Sequence, residues 1–97
     1  MHIGVCLIRL HLPANASLKG KRQVVNSITS RVKNRFNVSI AEVEDQDLWQ
    51  SLVLGISCVS NEHSHAQEVI SKVVDFIQDL RLDADMYDCQ VEVLRPL

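Results

Sequence analysis

The stretch SLKGKRQVVNSITSRVKNRF, residues 17–36, is the segment from which the fold can be worked out. Ser17 can accept a hydrogen bond from a free backbone N–H of a first helical turn, so it predicts the start of a helix. Apolar residues follow at helical spacing and form one stripe, made of Leu18, Val25, Ile28, Val32 and Phe36, with Val24 beside it. The stretch is therefore predicted to be an amphipathic helix that packs this stripe on a core.

The same stretch concentrates positive charge. It holds six of the ten Lys and Arg residues, namely Lys19, Lys21, Arg22, Arg31, Lys33 and Arg35. No acidic side chain precedes Glu42, so residues 1–41 carry a charge of +7 and residues 42–97 a charge of −9. A basic half is typical of a surface for nucleic acid or another polyanion. The alternative is that the two halves neutralise each other across the fold.

The segments around this helix alternate as strands do. Residues 2–12 place two apolar sets on opposite faces, which are Cys6, Ile8, Leu10 and Leu12, and Ile3, Val5 and Leu7. Asn37 ends the helix, and residues 38–44 predict a second strand. Residues 48–60 predict a third, with Gly55 as a bulge or a close-packing point.

A second helix and a last strand complete the chain. Asn61 or Ser64 is predicted to cap the helix, whose stripe is Ala66, Val69, Ile70, Val73, Ile77 and Leu80. Residues 84–94 predict the last strand. The order β-α-β-β-α-β with right-handed crossovers predicts a ferredoxin-like α+β sandwich over residues 1–97, a single domain. Both helices are expected on one face of a four-stranded antiparallel sheet, with the first and third strands central.

Composition favours a cytoplasmic protein with no membrane partner. No apolar run approaches the roughly 20 residues of a membrane span, and His2, Arg9 and His11 do not fit a signal peptide. The three cysteines, Cys6, Cys58 and Cys89, are far apart and odd in number. They are therefore expected to be reduced thiols.

The start of the first helix is the strongest indication of a binding site. Lys19, Lys21 and Arg22 lie where the helix dipole is already positive, which is unfavourable unless an anion binds the free N–H groups there. Gly20 would let such a ligand approach the backbone. The alternative is that the three side chains extend into water. Lys and Arg near the helix end, at Arg31, Lys33 and Arg35, suit the dipole without a ligand.

Other chemistry is not indicated. The acidic turn of Glu42, Glu44, Asp45 and Asp47 lacks the spacing and the internal glycine of a calcium loop. His63 and His65 are two apart and cannot form the i, i+4 pair of a helical zinc site. No catalytic residue set, cofactor motif or metal site is predicted, so the protein is not expected to be an enzyme. The aromatics are too few for a base-stacking sheet, so any RNA would be held mainly through its phosphates.

Several runs of the chain closely resemble the YlxP-like family of small bacterial proteins. They are His11-Leu12-Pro13, Ser17-Leu18-Lys19 with Lys21-Arg22, Arg35-Phe36-Asn37-Val38-Ser39, Ala41-Glu42-Val43, Gln46-Asp47 with Trp49-Gln50, and Val59-Ser60-Asn61. The resemblance implies a ferredoxin-like fold and no established activity. It also implies an association with RNA and ribosomes, because members are commonly encoded beside genes for transcription elongation, translation initiation and ribosome maturation.

Two features stand out against that resemblance. Gly20 replaces the usual Glu of the family, which would complete a capping box with Ser17. The run Gln46-Asp47-Leu48-Trp49-Gln50 has two interpretations. One is functional, with Asp47 and the two glutamines as polar contacts to a ligand. The reading that we prefer is structural, with Trp49 packed against the rim of the core and Asp47 or Gln46 holding the turn.

These observations lead to three hypotheses of function. The first is a non-enzymatic accessory protein that binds RNA or a ribosomal particle through the basic first helix. The second is a homodimer or other homo-oligomer that associates through the open sheet face carrying Ile3, Val5 and Leu7, since an exposed apolar face usually has a partner. The weakest is a small metal-binding protein or enzyme built on the acidic turn and the histidines.

Overall fold

The chain folds in the predicted order. The computed structural model describes residues 1–80 and 82–97. Its elements are β1 (His2–His11), α1 (Leu18–Arg35), β2 (Ser39–Glu44), β3 (Ser51–Ser60), α2 (His63–Asp79) and β4 (Asp85–Leu94). The strands form one antiparallel sheet in the order β2-β3-β1-β4, so the first and third strands are central as predicted. The ferredoxin-like α+β fold is confirmed.

The core lies between the sheet and the two helices. Alternate residues of β1 are buried, which confirms the inward set of Cys6, Ile8, Leu10 and Leu12. From α1 the buried apolar residues are Ile28 and Val32, and from α2 they are Ala66, Ile70, Val73 and Ile77. α2 packs on β1 and β3, whereas α1 packs on β2. α1 therefore lies against an edge strand, whereas α2 lies against the two central strands.

The third strand begins later than its sequence predicted. It starts at Ser51 instead of residue 48, because the preceding backbone bonds to groups outside the sheet. Lys21 Nζ donates to the carbonyl of Leu48 at 2.7 Å, and the side-chain amide of Asn15 donates to the carbonyl of Trp49 at 2.5 Å. Residues 48–50 therefore belong to the β2–β3 loop.

Two smaller predictions need correction. Glu62 is the N-cap residue of α2 and makes no side-chain capping bond, so neither Asn61 nor Ser64 caps it. Ser60 Oγ instead accepts from the backbone N–H of Glu62 at 3.1 Å, which fixes the turn into the helix. Gly55 is a close-packing point and not a bulge, since the irregularity lies on β2 between Glu42 and Glu44.

The three cysteines are free thiols, as the sequence predicted. Cys6 and Cys58 are buried, whereas Cys89 is exposed, and the sulfurs of Cys6 and Cys89 lie 3.7 Å apart. Burial, with the neighbouring Cys89, raises the pKa of Cys6 to about 12, so this thiol stays protonated at neutral pH. Among the described residues, no helix combines the length and the apolar character needed to cross a membrane.

Gly4 is a point of close approach between the sheet and α2. A Cβ atom there would lie 3.1 Å from the backbone oxygen of Ala66 and 2.8 Å from Cγ1 of Ile70. We therefore expect Gly4→Ala to lower stability by about 1–3 kcal/mol, because a helix backbone has to move. A fall of 1 kcal/mol lowers the melting temperature by about 4–8 °C for a domain of this size.

Thermal unfolding followed by circular dichroism measures this shift. Ser57→Ala, on the outer face of the sheet, is the matched control and should melt close to wild type. An unchanged melting temperature for Gly4→Ala would show that α2 does not pack this closely.

Candidate nucleic-acid interface

The start of α1 is tied to the β2–β3 loop. Ser17 Oγ accepts from the backbone N–H of Gly20 at 3.0 Å, which confirms Ser17 as the N-cap. The side-chain amide of Asn15 donates to the carbonyl of Ser17 at 2.8 Å and to the carbonyl of Trp49 at 2.5 Å. One amide therefore joins the capped helix to the loop that follows β2.

Lys21 makes the second and stronger connection. Its side chain is buried, with 1% of the residue exposed, and its Nζ lies 2.8 Å from Oε2 of Glu42. The same Nζ donates to the carbonyls of Leu48, at 2.7 Å, and of Asp45. The ammonium therefore donates two hydrogen bonds to the loop and forms an ion pair with β2. Lys21 is thus not available to a ligand, in contrast to the expectation that it faces solvent or an anion.

The periodicity of the sequence contains the signal that places Lys21 inside. Lys21 precedes Val25 by four residues and Ile28 by seven, so it lies on the apolar stripe of α1. A cation on such a stripe must be neutralised and hydrogen-bonded within the protein, because an unpaired buried charge is strongly unfavourable. Lys19 and Arg22 have the same charge as Lys21, but they lie off this stripe and are exposed.

The β2–β3 loop itself, residues 45–50, has a fixed backbone. Asp45 adopts a positive φ of 58°, and Ser51 Oγ donates to its carboxylate at 2.7 Å. The side chain of Gln50 donates to the carbonyl of Pro13 at 3.1 Å. The turn is therefore held by Asp45 and Gln50, and not by Asp47 or Gln46 as expected. Trp49 is only partly covered, since 54% of this residue is exposed.

The other five basic residues of α1 are exposed. They are Lys19, Arg22, Arg31, Lys33 and Arg35. Among the residues that the structure describes, none of the five lies within 4.0 Å of a carboxylate. Arg9 differs, because it lies 3.2 Å from Glu44 and 3.7 Å from Asp88. The two halves of the chain thus neutralise each other at Arg9 and Lys21, while the surface of α1 keeps its charge.

The exposed cations occupy two flanks of α1 that differ in their surroundings. Arg35 lies over the ring of Phe76, 5.0 Å from its centroid. The flank that carries Arg31 and Arg35 therefore faces α2. Asp75 and Asp79 of α2 line the same hollow as Arg35. Helical spacing puts Lys19, Arg22 and Lys33 together on the opposite flank, which we call the basic flank. It is the more suitable surface for a polyanion.

The acidic turn and the histidines do not form a metal centre. Within residues 1–80 and 82–97, no group of three or more His, Cys, Asp or Glu side chains is arranged to hold a metal ion. Glu42 and Glu44 pair with Lys21 and Arg9, and Asp45 accepts from Ser51. His65 shares a hydrogen bond with Ser60, at 3.0 Å between Nδ1 and Oγ. Most of these groups therefore have partners inside the protein.

Removing the ammonium of Lys21 should have a large effect on stability. Lys21→Met removes the ion-pair partner of Glu42 and the donor that binds two carbonyl groups of the loop, so we expect a loss of about 3 kcal/mol or more. Urea unfolding measures it. Glu42→Gln should destabilise less, because Nζ keeps both carbonyls and the amide oxygen can still accept. A Lys21→Met variant as stable as wild type would mean that the ammonium does not anchor the loop.

Comparison with known proteins gives a family and a relative. The model of the family described as "Protein of unknown function (DUF503)" matches residues 3–91, which include both helices and the β2–β3 loop. The "Uncharacterized protein YlxP" of Bacillus subtilis (strain 168) is 44% identical over 61 residues, or 63% of this chain. The match spans 66% of that relative's own length, slightly less than two thirds.

Proposed function

The chain belongs to the DUF503 family of proteins of unknown function, and we propose that it binds RNA, free or in a ribosomal particle, through α1. This family agrees with the resemblance to YlxP-like proteins, and its description gives no activity. One observation carries the proposal. Five cations are exposed on one helix, and among the described residues none of them has a carboxylate within 4.0 Å. A rigid, uncompensated basic helix favours a polyanionic ligand.

The distribution of the acidic groups supports the same conclusion. The acidic residues Glu42, Glu44, Asp45 and Asp47 lie at the end of β2 and in the loop after it, and α1 packs on this strand. They are therefore close enough in the fold to have neutralised this helix. Instead, Glu42 is taken by the buried Lys21 and Glu44 by Arg9. The basic flank therefore keeps its full charge although the whole chain has a net charge of −2.

The basic flank also has a suitable length. Lys19 and Lys33 are separated by roughly 21 Å along the helix axis, at about 1.5 Å per residue, with Arg22 between them. Such a row can follow several phosphates of one strand. Each phosphate that it neutralises releases counterions, and the logarithm of the binding constant then falls with log salt by about 0.7 per contact for a single strand. Three contacts give a slope of about −2.

Binding of labelled RNA, followed by fluorescence anisotropy at several salt concentrations, tests the proposal. The variant carries Lys19→Gln, Arg22→Gln and Lys33→Gln. We expect it to bind more weakly than wild type and with a slope shallower by about 2, because it lacks the three phosphate contacts.

The matched control removes the positive charge of the other flank of α1, with Arg31→Gln and Arg35→Gln. It should keep most of the wild-type slope, since Arg35 is engaged with Phe76 and lies near acidic residues. Absence of binding at low salt would contradict the proposal, and so would binding without salt dependence. Equal losses in the two variants would contradict the assignment to the basic flank.

A second candidate function is self-association through the outer face of the sheet. An apolar groove of about 570 Å³ runs along this face, with Val5, Leu7 and Val43 among its lining residues. Val59, on the same face, is 69% exposed. Exposed apolar surface of this kind commonly marks a protein–protein contact. A second copy of the chain would cover it and double the basic surface.

Light scattering coupled to size exclusion tests this second function at micromolar concentration. Wild type should elute as a dimer, and Leu7→Glu should be monomeric because it places a charge in the apolar groove. Leu48→Glu alters an exposed leucine outside this face and should leave the dimer intact. A wild-type protein that is strictly monomeric would contradict self-association.

A further inference from the structure

Trp49 is presented to solvent by a loop whose backbone is fixed. It is the only tryptophan of the chain, and 54% of it is exposed beside Leu48, which is 53% exposed. Leaving large apolar side chains in water forgoes the free energy of their burial. The exposure is not the result of a loose backbone, because the carbonyls of residues 48, 49 and 50 accept from Lys21, Asn15 and Leu12 respectively.

The exposed ring borders a hollow of about 510 Å³. Its lining consists of His11, Asp47, Leu48, Trp49, Gln50 and Ser51. An apolar wall with a few polar groups is the usual composition of a site for a planar organic group, and the volume is within the range of about 300–1,000 Å³ for such sites. The imidazole of His11 can donate to the edge of a base, and the carboxylate of Asp47 can accept from it.

The loop that carries Trp49 is joined to the start of α1. Asn15 binds the carbonyl of Trp49 and that of Ser17, and its Oδ1 occupies the position that a Cβ of residue 20 would need. Gly20 therefore leaves room for the side chain that joins the loop to the helix. Lys19, next to Gly20, and Arg22 are thus positioned on the same turn that the loop contacts.

We infer that Trp49 stacks an unpaired base of the RNA whose phosphates the basic flank neutralises, so that the ligand is single-stranded and not duplex RNA. The inference rests on the proposed function and narrows it. Aromatic stacking accepts any base, since every base has a π face, and duplex bases are already stacked on each other. The sequence predicts binding mainly through phosphates, because it offers no aromatic surface on the sheet. The exposed aromatic ring in the structure lies on a loop instead.

Tryptophan emission reports this contact directly, because Trp49 is the sole tryptophan. A single-stranded oligoribonucleotide is titrated at low salt while tryptophan emission and the anisotropy of a label on the RNA are both recorded. The single strand should quench the emission with the dissociation constant found from anisotropy. A duplex of the same length should bind more weakly and leave the emission nearly unchanged.

Variants separate stacking from charge. Trp49→Ala should weaken single-strand binding about 5- to 150-fold, which corresponds to about 1–3 kcal/mol per stacked base. Trp49→Phe should restore much of the affinity. Leu97→Ala, which alters an exposed apolar residue outside the hollow, should change it little. Inorganic polyphosphate is a probe without bases. It should compete for the basic flank without quenching Trp49 in the way that RNA does.

The outcomes distinguish the two claims. Salt-dependent binding with unchanged emission, and with full affinity in Trp49→Ala, would overturn the stacking inference and leave the proposed function standing. Equal quenching by duplex and single strand would overturn the preference for unpaired bases. Absence of binding by both readouts would overturn the proposed function and the inference together. Circular dichroism of each variant confirms that the fold is retained.

Discussion

The buried ammonium of Lys21 is the interaction on which the arrangement of this protein depends. A single side chain of α1 takes a carboxylate of β2 and two carbonyls of the β2–β3 loop, and its residue is 1% exposed. A charge withdrawn from water to this extent is stable only if its partners are fixed in place. The helix, the strand and the loop are therefore held in one geometry. This geometry fixes the backbone of the Trp49 loop against the start of α1, the helix that carries the basic flank.

The same interaction explains how an acidic chain can present a basic helix. A carboxylate that pairs with a cation elsewhere in the fold does not neutralise the surface of α1. Glu42 pairs with Lys21, and Glu44 pairs with Arg9 on the opposite face of the sheet. The internal pairs thus separate positive from negative charge, although surface ion pairs contribute little to stability. In this protein the relevant result of the pairing is the charge left on α1.

The sequence predicts the fold well because the fold depends on periodicity. Alternation along β1 and the helical stripes of α1 and α2 fix which faces are buried, and the order of elements then determines the sheet. Boundaries were less predictable where backbone groups bond to distant side chains. The start of β3 is the clearest case, because the hydrophobic run from Leu48 continues through residues whose carbonyls bond outside the sheet.

The candidate site was only partly predictable for a related reason. Counting charges located α1, but it could not separate Lys21 from Lys19, whereas the position of Lys21 on the apolar stripe does so. Trp49 lies next to a strand-like sequence, and its exposure depends on contacts from Asn15 that are 34 residues away in the chain. Such long-range contacts leave no local pattern, so the juxtaposition of Trp49 with the start of α1 appears only in the structure.

Detection of lysine ammonium groups by ¹H–¹⁵N NMR tests the central role of Lys21 most directly. The chain has four lysines, and Lys19, Lys33 and Lys72 are exposed. A buried ammonium that is held by an ion pair and two hydrogen bonds exchanges its protons slowly with water, whereas exposed ammonium groups exchange fast. We predict one persistent ammonium signal at neutral pH, absent from Lys21→Met. Rapid exchange at all four lysines would contradict the account.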